Sequence, residues 1–327
     1  MRWTAALLLP LLLAALGACA SLRPDLAWES AHGRDHALAG VVWDVQARRF
    51  LGADALAGRL ARERFVLLGE QHDNPDHHRL QTWLLEALIA AGRRPAVAFE
   101  MFTADDQPAI ARYLASGASS AAGLGDAVDW SRSGWPAWAF YQPIADRAIA
   151  AGLPIVAANL GRATPRAVAR QGMGALDPAF VARLGLDRPL DAATRSEMAD
   201  EIREAHCGHA PEGMIDGMIA VQRARDAQMA ERLAAAGGDG AVLIAGAGHV
   251  RTDRGVPAFL AVLAPGARVA SVAFVEVSRD ARAPEAYAMP VEYLWFTPRV
   301  DDTDPCERFR EPLERLRERG SVPAWGG

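Results

Sequence analysis

Arg64-Phe65-Val66-Leu67-Leu68-Gly69-Glu70-Gln71-His72-Asp73-Asn74-Pro75, with DHHRLQTWLLEALIAAG at 76–92 and Pro95-Ala96-Val97-Ala98-Phe99 beyond it, is the stretch that decides the fold. Residues 64–69 are a short apolar run bounded by glycine, the pattern of a buried strand. Residues 76–92 carry Leu and Ala at helical spacing. Asn74 is placed to cap that helix, Pro75 falls in its first turn and Gly92 follows its end. Residues 95–99 are a second buried strand. Strand, helix and strand within about 36 residues predict a βαβ unit.

Working outward, Val41 to Val45 alternates as a strand does, and residues 52–63 have helical spacing. Helices are expected at 105–116 and 137–151, and a third buried strand at Leu153 to Ala158. From 163 to 236 no strand pattern is visible; the segment is rich in Ala, Arg and Met, with turns at Gly172, Asp177-Pro178 and Pro211. Strand character returns at Ala241 to Gly246, a helix follows at 255–263, and two more strands are expected at 268–277 and 291–297. The fold class is therefore α/β: a mainly parallel sheet flanked by helices, with a helical insertion forming a smaller subdomain. The core is expected at 39–162 and 237–300, the insertion at 163–236 and a charged tail at 301–327.

The N-terminus gives an address. Residues 5–16 (AALLLPLLLAAL) are too short and too proline-broken to span a bilayer, and they follow Arg2. Gly17-Ala18-Cys19 matches a bacterial lipoprotein signal, so 1–18 is expected to be removed and Cys19 lipidated. A cleaved signal with an incidental Cys is the alternative. No Asp follows Cys19, which favours the periplasmic face of the outer membrane, and the polar segment 19–38 is expected as a tether. Without residues 1–18 the chain has 34 basic and 40 acidic residues and no basic block, so nucleic acid is not an expected partner. Cys207 and Cys306 remain. They form a disulfide, or stay as buried thiols, or Cys207 acts as a ligand within His206-Cys207-Gly208-His209.

The residues after the buried strands carry chemistry. Glu70 and His72 follow the first, Glu100 the second, Asn159 the third, and His249 with Arg251 the fourth. Ligands of open α/β sheets bind beyond the carboxyl ends of the strands, so these side chains are expected in one crevice. A helix cap or solvated turn is the bland reading of any one of them. His77 and His78 are adjacent on a helix, so at most one of them faces the crevice with His72. Arg251 suits a carboxylate or a propionate, or pairs with Asp253. Trp130, Trp135, Trp138, Phe140 and Tyr141 make 128–147 dense in aromatics, either as core or as a loop over a flat apolar ligand. Met198, Met214 and Met218 line such a pocket or fill helix core. No P-loop, G-x-S-x-G elbow or His-Glu-x-x-His is present.

Five motifs in order resemble the ChaN-type haem-binding lipoproteins, within a grouping that includes Tiki/TraB-like metalloproteases and erythromycin esterase-like hydrolases. They are Leu68 to Pro75, Phe99 to Phe102, Trp135 through Tyr141-Gln142-Pro143-Ile144, Arg225 to Ala230, and Gly246 to Pro257. The resemblance implies haem held between two protomers in iron uptake, with an outer-membrane haem receptor as a further partner. It also implies a tyrosine as axial ligand and a partner-chain histidine near the haem. Of Tyr113, Tyr141, Tyr287 and Tyr293, the motif-bearing segment points to Tyr141 for the iron, with His72, His249 and Arg251 around the cofactor. The wider grouping implies instead a hydrolase, with Glu70, His72, Glu100 and His249 as acid–base groups or on a divalent metal.

Overall fold

A computed structural model describes residues 27–308, 310, 311, 313 and 314. The expected signal peptide, lipidated Cys19 and the end of the tail lie outside the described residues. Among those residues there are eight strands: β1 Val42–Asp44, β2 Arg49–Leu51, β3 Phe65–Glu70, β4 Ala96–Thr103, β5 Ile155–Asn159, β6 Ala241–Gly246, β7 Val269–Glu276 and β8 Tyr293–Thr297. They form one sheet in the order β2-β1-β8-β7-β3-β6-β4-β5. From β8 to β5 all pairs are parallel; β1 and β2 add an antiparallel edge. The chain is thus α/β with a mainly parallel sheet, as the sequence pattern predicts.

The helices are α1 Ala53–Leu60, α2 Pro75–Ala90, α3 Gln107–Ala115, α4 Leu124–Ala127, α5 Trp138–Ala150, α6 Thr164–Gln171, α7 Pro178–Leu184, α8 Ala192–Ala205, α9 Glu212–Ala235, α10 Val256–Leu263 and α11 Pro305–Arg308. Asn74 caps α2 by accepting from the backbone N–H groups of Asp76 and His77, with Pro75 in the first turn.

Strand alternation sorts the core into two layers. Val66 and Leu68 of β3 and Val97 and Phe99 of β4 face α1, α2 and α5, with Leu56, Leu84 and Ile144. Phe65 and Leu67 of β3 and Ala96 and Ala98 of β4 face α9 and α10, with Met229, Leu233 and Leu260. The same parity carries on to the strand ends. Glu70 falls on the α2–α5 side and Glu100 on the α9 side.

Three expectations change. The polar segment up to 38 is not a free tether over its described part. Asp76 accepts from the backbone N–H groups of Glu29 and Ser30, His32 pairs with the backbone of Arg299, and Leu38 and Ala39 are buried. Its polar residues serve as hydrogen-bonding groups along a packed path. The stretch 163–236 is wholly helical, yet the second half of α9 packs into the sheet core through Met229, Ala230 and Leu233. α8 and the first half of α9 enclose a small core of their own, around Met198, Ile215 and Met218, while α6 and α7 pack on α9 through Val168 and Phe180. Third, β3 and β4 of the expected βαβ unit are not neighbours, because β6 lies between them.

β3 passes close under the turn that follows β6. A Cβ at Gly69 would meet the Ala247 Cα at 2.9 Å and the side chain of Val250. Gly69→Ala is therefore expected to cost about 1–3 kcal/mol through overpacking. Urea unfolding at neutral pH checks this; a change within error would show that the turn yields freely.

Candidate functional site

Register places Glu70 of β3 opposite Gly246 of β6, and β4 flanks β6 on its other side. Two buried carboxylates therefore straddle the end of one central strand, one on each face of the sheet. A buried ionised carboxylate needs compensating charge and hydrogen bonds.

On the α2–α5 face, Glu70 is fully surrounded. Its Oε1 accepts the Tyr141 hydroxyl at 2.7 Å and lies 2.8 Å from His72 Nδ1. Its Oε2 accepts from Gln81 Nε2 at 2.6 Å and lies 3.3 Å from His78 Nδ1. Burial alone would raise this carboxyl, but the charges and hydrogen bonds of His78 and His72 outweigh it and hold it well below the usual carboxylate range. Burial likewise opposes charge on His72 and His78, and the Glu70 carboxylate reverses this and raises both. His77 turns the other way, between the backbone N–H of Gln71 and the Thr297 hydroxyl, and burial lowers it to about 3. One of the adjacent pair faces the crevice, as helix geometry requires.

On the α9 face, Glu100 Oε2 accepts the backbone N–H of Gly246 at 2.8 Å, and its Oε1 lies 3.0 Å from His249 Nε2. His249 Nδ1 in turn lies 2.6 Å from Asp226 Oδ1. Burial works against the charged ring, yet Glu100 and Asp226 outweigh it and raise His249 to about 10. Burial raises Asp226 to about 6 against the opposing pull of His249. At neutral pH the unit is an imidazolium between two carboxylates. Arg225 approaches Glu100 at 3.7 Å, and its Nε is buried with no hydrogen-bond partner.

The two faces meet at Gly246. A Cβ there would lie 3.0 Å from His72 Nε2 and 3.6 Å from Glu100 Oε2. The bare glycine lets His72 reach from one network toward the other. His72 is the half-buried member, its side chain 32% exposed, with Trp135 edge-on at 4.8 Å. Its Nδ1 is held by Glu70, which leaves Nε2 as the open nitrogen.

Beside this crevice is a cavity of 400 Å³. Met101, Phe102, Trp130 and Trp135 wall it, with Asn159 and the guanidinium groups of Arg132, Arg162 and Arg225. Arg162 is paired with Asp106. The aromatic segment thus serves both expected roles, since Trp130 and Tyr141 are buried while Trp135 lines the opening.

Tyr141 is fully buried, its hydroxyl donates to Glu70, and burial with the neighbouring carboxylates pushes its proton loss far above the usual phenol range. The other three phenols are also engaged. Tyr113 donates to the Ser120 carbonyl and Tyr287 to the Ala281 carbonyl, while Tyr293 lies beside Arg59. Arg251 pairs with Asp253 and lies on a second cavity rather than this one. Cys207 and Cys306 are joined in a disulfide across 99 residues. Gln81 joins the site without having stood out in the sequence, and Arg225 and Asp226, noted there only within the Arg225 to Ala230 motif, join it without having been named as site candidates. The signal available was a charged Arg-Asp pair in an Ala-rich helix. Among the described residues no group of three or more His, Cys, Asp and Glu side chains is arranged to hold a metal ion.

Fold and site together define an α/β protein with a ligand crevice at its strand ends, built on two carboxylate–histidine networks. The profile of the family described as haem-binding uptake, Tiki superfamily, ChaN matches residues 56–260, and the chain belongs to that family. Among solved structures it is similar to ChaN of Campylobacter jejuni, described with cofacial haem binding. That pair shares 18% identity at a TM-score of 0.62, over 78% of this chain and 95% of the other. A mutant of the erythromycin esterase EreC in its open conformation matches at 12% identity and a TM-score of 0.41, over 89% of this chain and 88% of that one. The type III effector HopBA1 matches at 15% identity and a TM-score of 0.42, over 75% of this chain and 93% of its own. No curated protein matches the sequence.

The folded pKa of His249 lies above its ordinary value, so its stabilising contribution is whole below pH 6.5 and is lost as pH rises through about 10. The melting temperature of the protein is expected to fall over that range, and more steeply than in His249→Gln. At pH 7 His249→Gln leaves two buried carboxylates without their cation and should cost about 3–5 kcal/mol. Parallel melting curves against pH, with urea unfolding at pH 7, check both.

Proposed function

We propose that this protein binds haem at the cavity beside the strand ends and acts in haem-iron uptake. The observation that carries this is the pairing of flat aromatic walls with the arginines Arg132 and Arg225 in a chain whose family is haem-binding. A porphyrin needs an apolar slot for its ring and cations for its propionates. Trp130, Trp135, Phe102 and Met101 would hold the ring, and Arg132 and Arg225 the propionates. The buried, unpartnered Nε of Arg225 is a donor that such a carboxylate would satisfy.

The iron falls to His72 in this reading, not to Tyr141. A metal-binding histidine characteristically gives its second ring nitrogen to a carboxylate, and Glu70 holds Nδ1 of His72 in that way. The haem group would supply the iron centre, and Trp130, Trp135, Arg132 and Arg225 would orient it. The cofacial haem binding described for the Campylobacter protein supports a site completed by a second copy of this chain. The lipoprotein signal supports attachment through Cys19 to the outer membrane, facing the periplasm, with delivery from or to an outer-membrane haem receptor.

A second reading rests on a separate observation: His72 Nε2 and Glu100 converge at Gly246. A carboxylate-backed imidazole is a competent general base for activating water, and the buried His249 imidazolium offers a positive charge to a developing oxyanion. An ester or amide would then be the substrate.

Hemin titration of the protein lacking residues 1–19 is expected to give a shifted Soret band. His72→Ala should change that band, and Tyr141→Phe should leave it in place. Absence of any shift in the parent protein would remove the haem reading. Hydrolysis of p-nitrophenyl esters, lost alike in His72→Ala and His249→Ala, would favour the second one.

A further inference from the structure

On the other side of Arg225 and Asp226, between α8, α9 and the turn after β6, is a second cavity of 260 Å³. One wall is apolar, made by Met198, Ile202, Met218 and Val221. Arg225, Arg251 and Arg254 also line the cavity, together with Glu201, His206, Gln222 and Asp226. These three cations are not equivalent. Arg251 pairs with Asp253 and Glu201, and Arg254 with Glu197 and Glu201. Arg225 has only the 3.7 Å approach to Glu100, and its Nε is buried without a partner. A buried guanidinium with an unused donor is an incomplete carboxylate site, since an orphaned buried donor costs about 1–3 kcal/mol.

We infer that this cavity binds an amphipathic monocarboxylate, its carboxylate on Arg225 and a short alkyl chain along the methionine-lined wall. Three features select that class. Arg251 and Arg254 are matched by Glu197, Glu201 and Asp253, which leaves Arg225 as the guanidinium with an unused donor, and one such group suits one carboxylate rather than a polyanion. Met198, Ile202, Met218 and Val221 give the lining an apolar patch beside its polar groups, and methionines adapt to unbranched chains. The volume lies just under the range of about 300–1,000 Å³ usual for drug-sized ligands, so the chain is short. Arg225 lines both cavities, and a haem propionate has the same chemistry as the proposed ligand, so the test must separate the two.

Octanoate is the probe, measured by calorimetry on the purified protein, with octylamine as the charge-reversed control. Saturable binding of octanoate and none of octylamine is expected. Ile202→Trp fills the apolar side of this cavity alone. It should abolish octanoate binding while the hemin titration stays as in the parent. Arg225→Gln should weaken octanoate by about tenfold or more, the loss of a charge-assisted hydrogen bond. Circular dichroism of each variant confirms folding, and Arg225→Gln decides the matter if the tryptophan variant does not fold. Failure of the parent protein to bind octanoate overturns the inference. So does equal binding of octylamine, full binding by a folded Ile202→Trp, or one-for-one displacement of octanoate by hemin. Failure of hemin binding alone leaves the octanoate result intact and bears only on the haem reading.

Discussion

Two buried carboxylates sit at the ends of the two parallel strands that flank β6, and the surrounding side chains are arranged around that fact. Each needs cationic or hydrogen-bonding partners, because an isolated buried charge is too costly to keep. Strand parity sends them to opposite faces of the sheet. The partners must therefore come from different elements: His78 and Gln81 from α2 and Tyr141 from α5 for Glu70, and for Glu100 Arg225 from α9 and His249 from the turn after β6, itself held by Asp226 of α9. The α2 and α5 contacts lock one side of the sheet, and α9 with its turn locks the other. The helical layers are thus fixed in place by polar bonds as well as by apolar packing. His72 and Gly246 join the two sides. A side chain at 246 would separate the networks, whereas the glycine lets them share an electrostatic field.

This arrangement explains why one crevice supports two chemical readings. Glu70 orients His72 and leaves one nitrogen open, which serves a metal centre and a proton acceptor equally well. What differs is the neighbourhood. The aromatic walls and guanidinium groups of the adjoining cavity suit a large flat dianion, whereas the close approach of His72 to Glu100 suits a small reacting group.

Much of this was legible in the chain. Buried strands announce themselves as short apolar runs, and reading the residue after each one found Glu70, His72, Glu100 and His249 together. The partners were harder. Asp226 and Gln81 lie within helices, where a polar residue that faces inward has no local signature. Tyr141 was singled out because it lies in the motif-bearing aromatic segment; the packing of α5 against α2 that turns it inward to Glu70 is not written in that segment. Strand order was not legible either, since nothing in 241–246 says that it inserts between β3 and β4. The segment before residue 39 looked like a tether by composition, yet composition does not distinguish polar groups that meet water from those that meet Asp76 and Arg299.

The position of β6 has a consequence for how the chain comes together. β3 and β4 leave the ribosome early but never pair with each other, and each waits for a strand more than 130 residues downstream of it. Until Ala241–Gly246 arrives, the middle of the sheet has no continuous hydrogen-bonded ladder, and Glu70 and Glu100 have no Gly246 to meet. Contacts so distant in sequence carry a large loop-closure cost and slow the folding of the whole domain. β4 can pair with β5 before then, but the crevice, which needs β6 and the turn after it, is among the last parts of the molecule to be assembled.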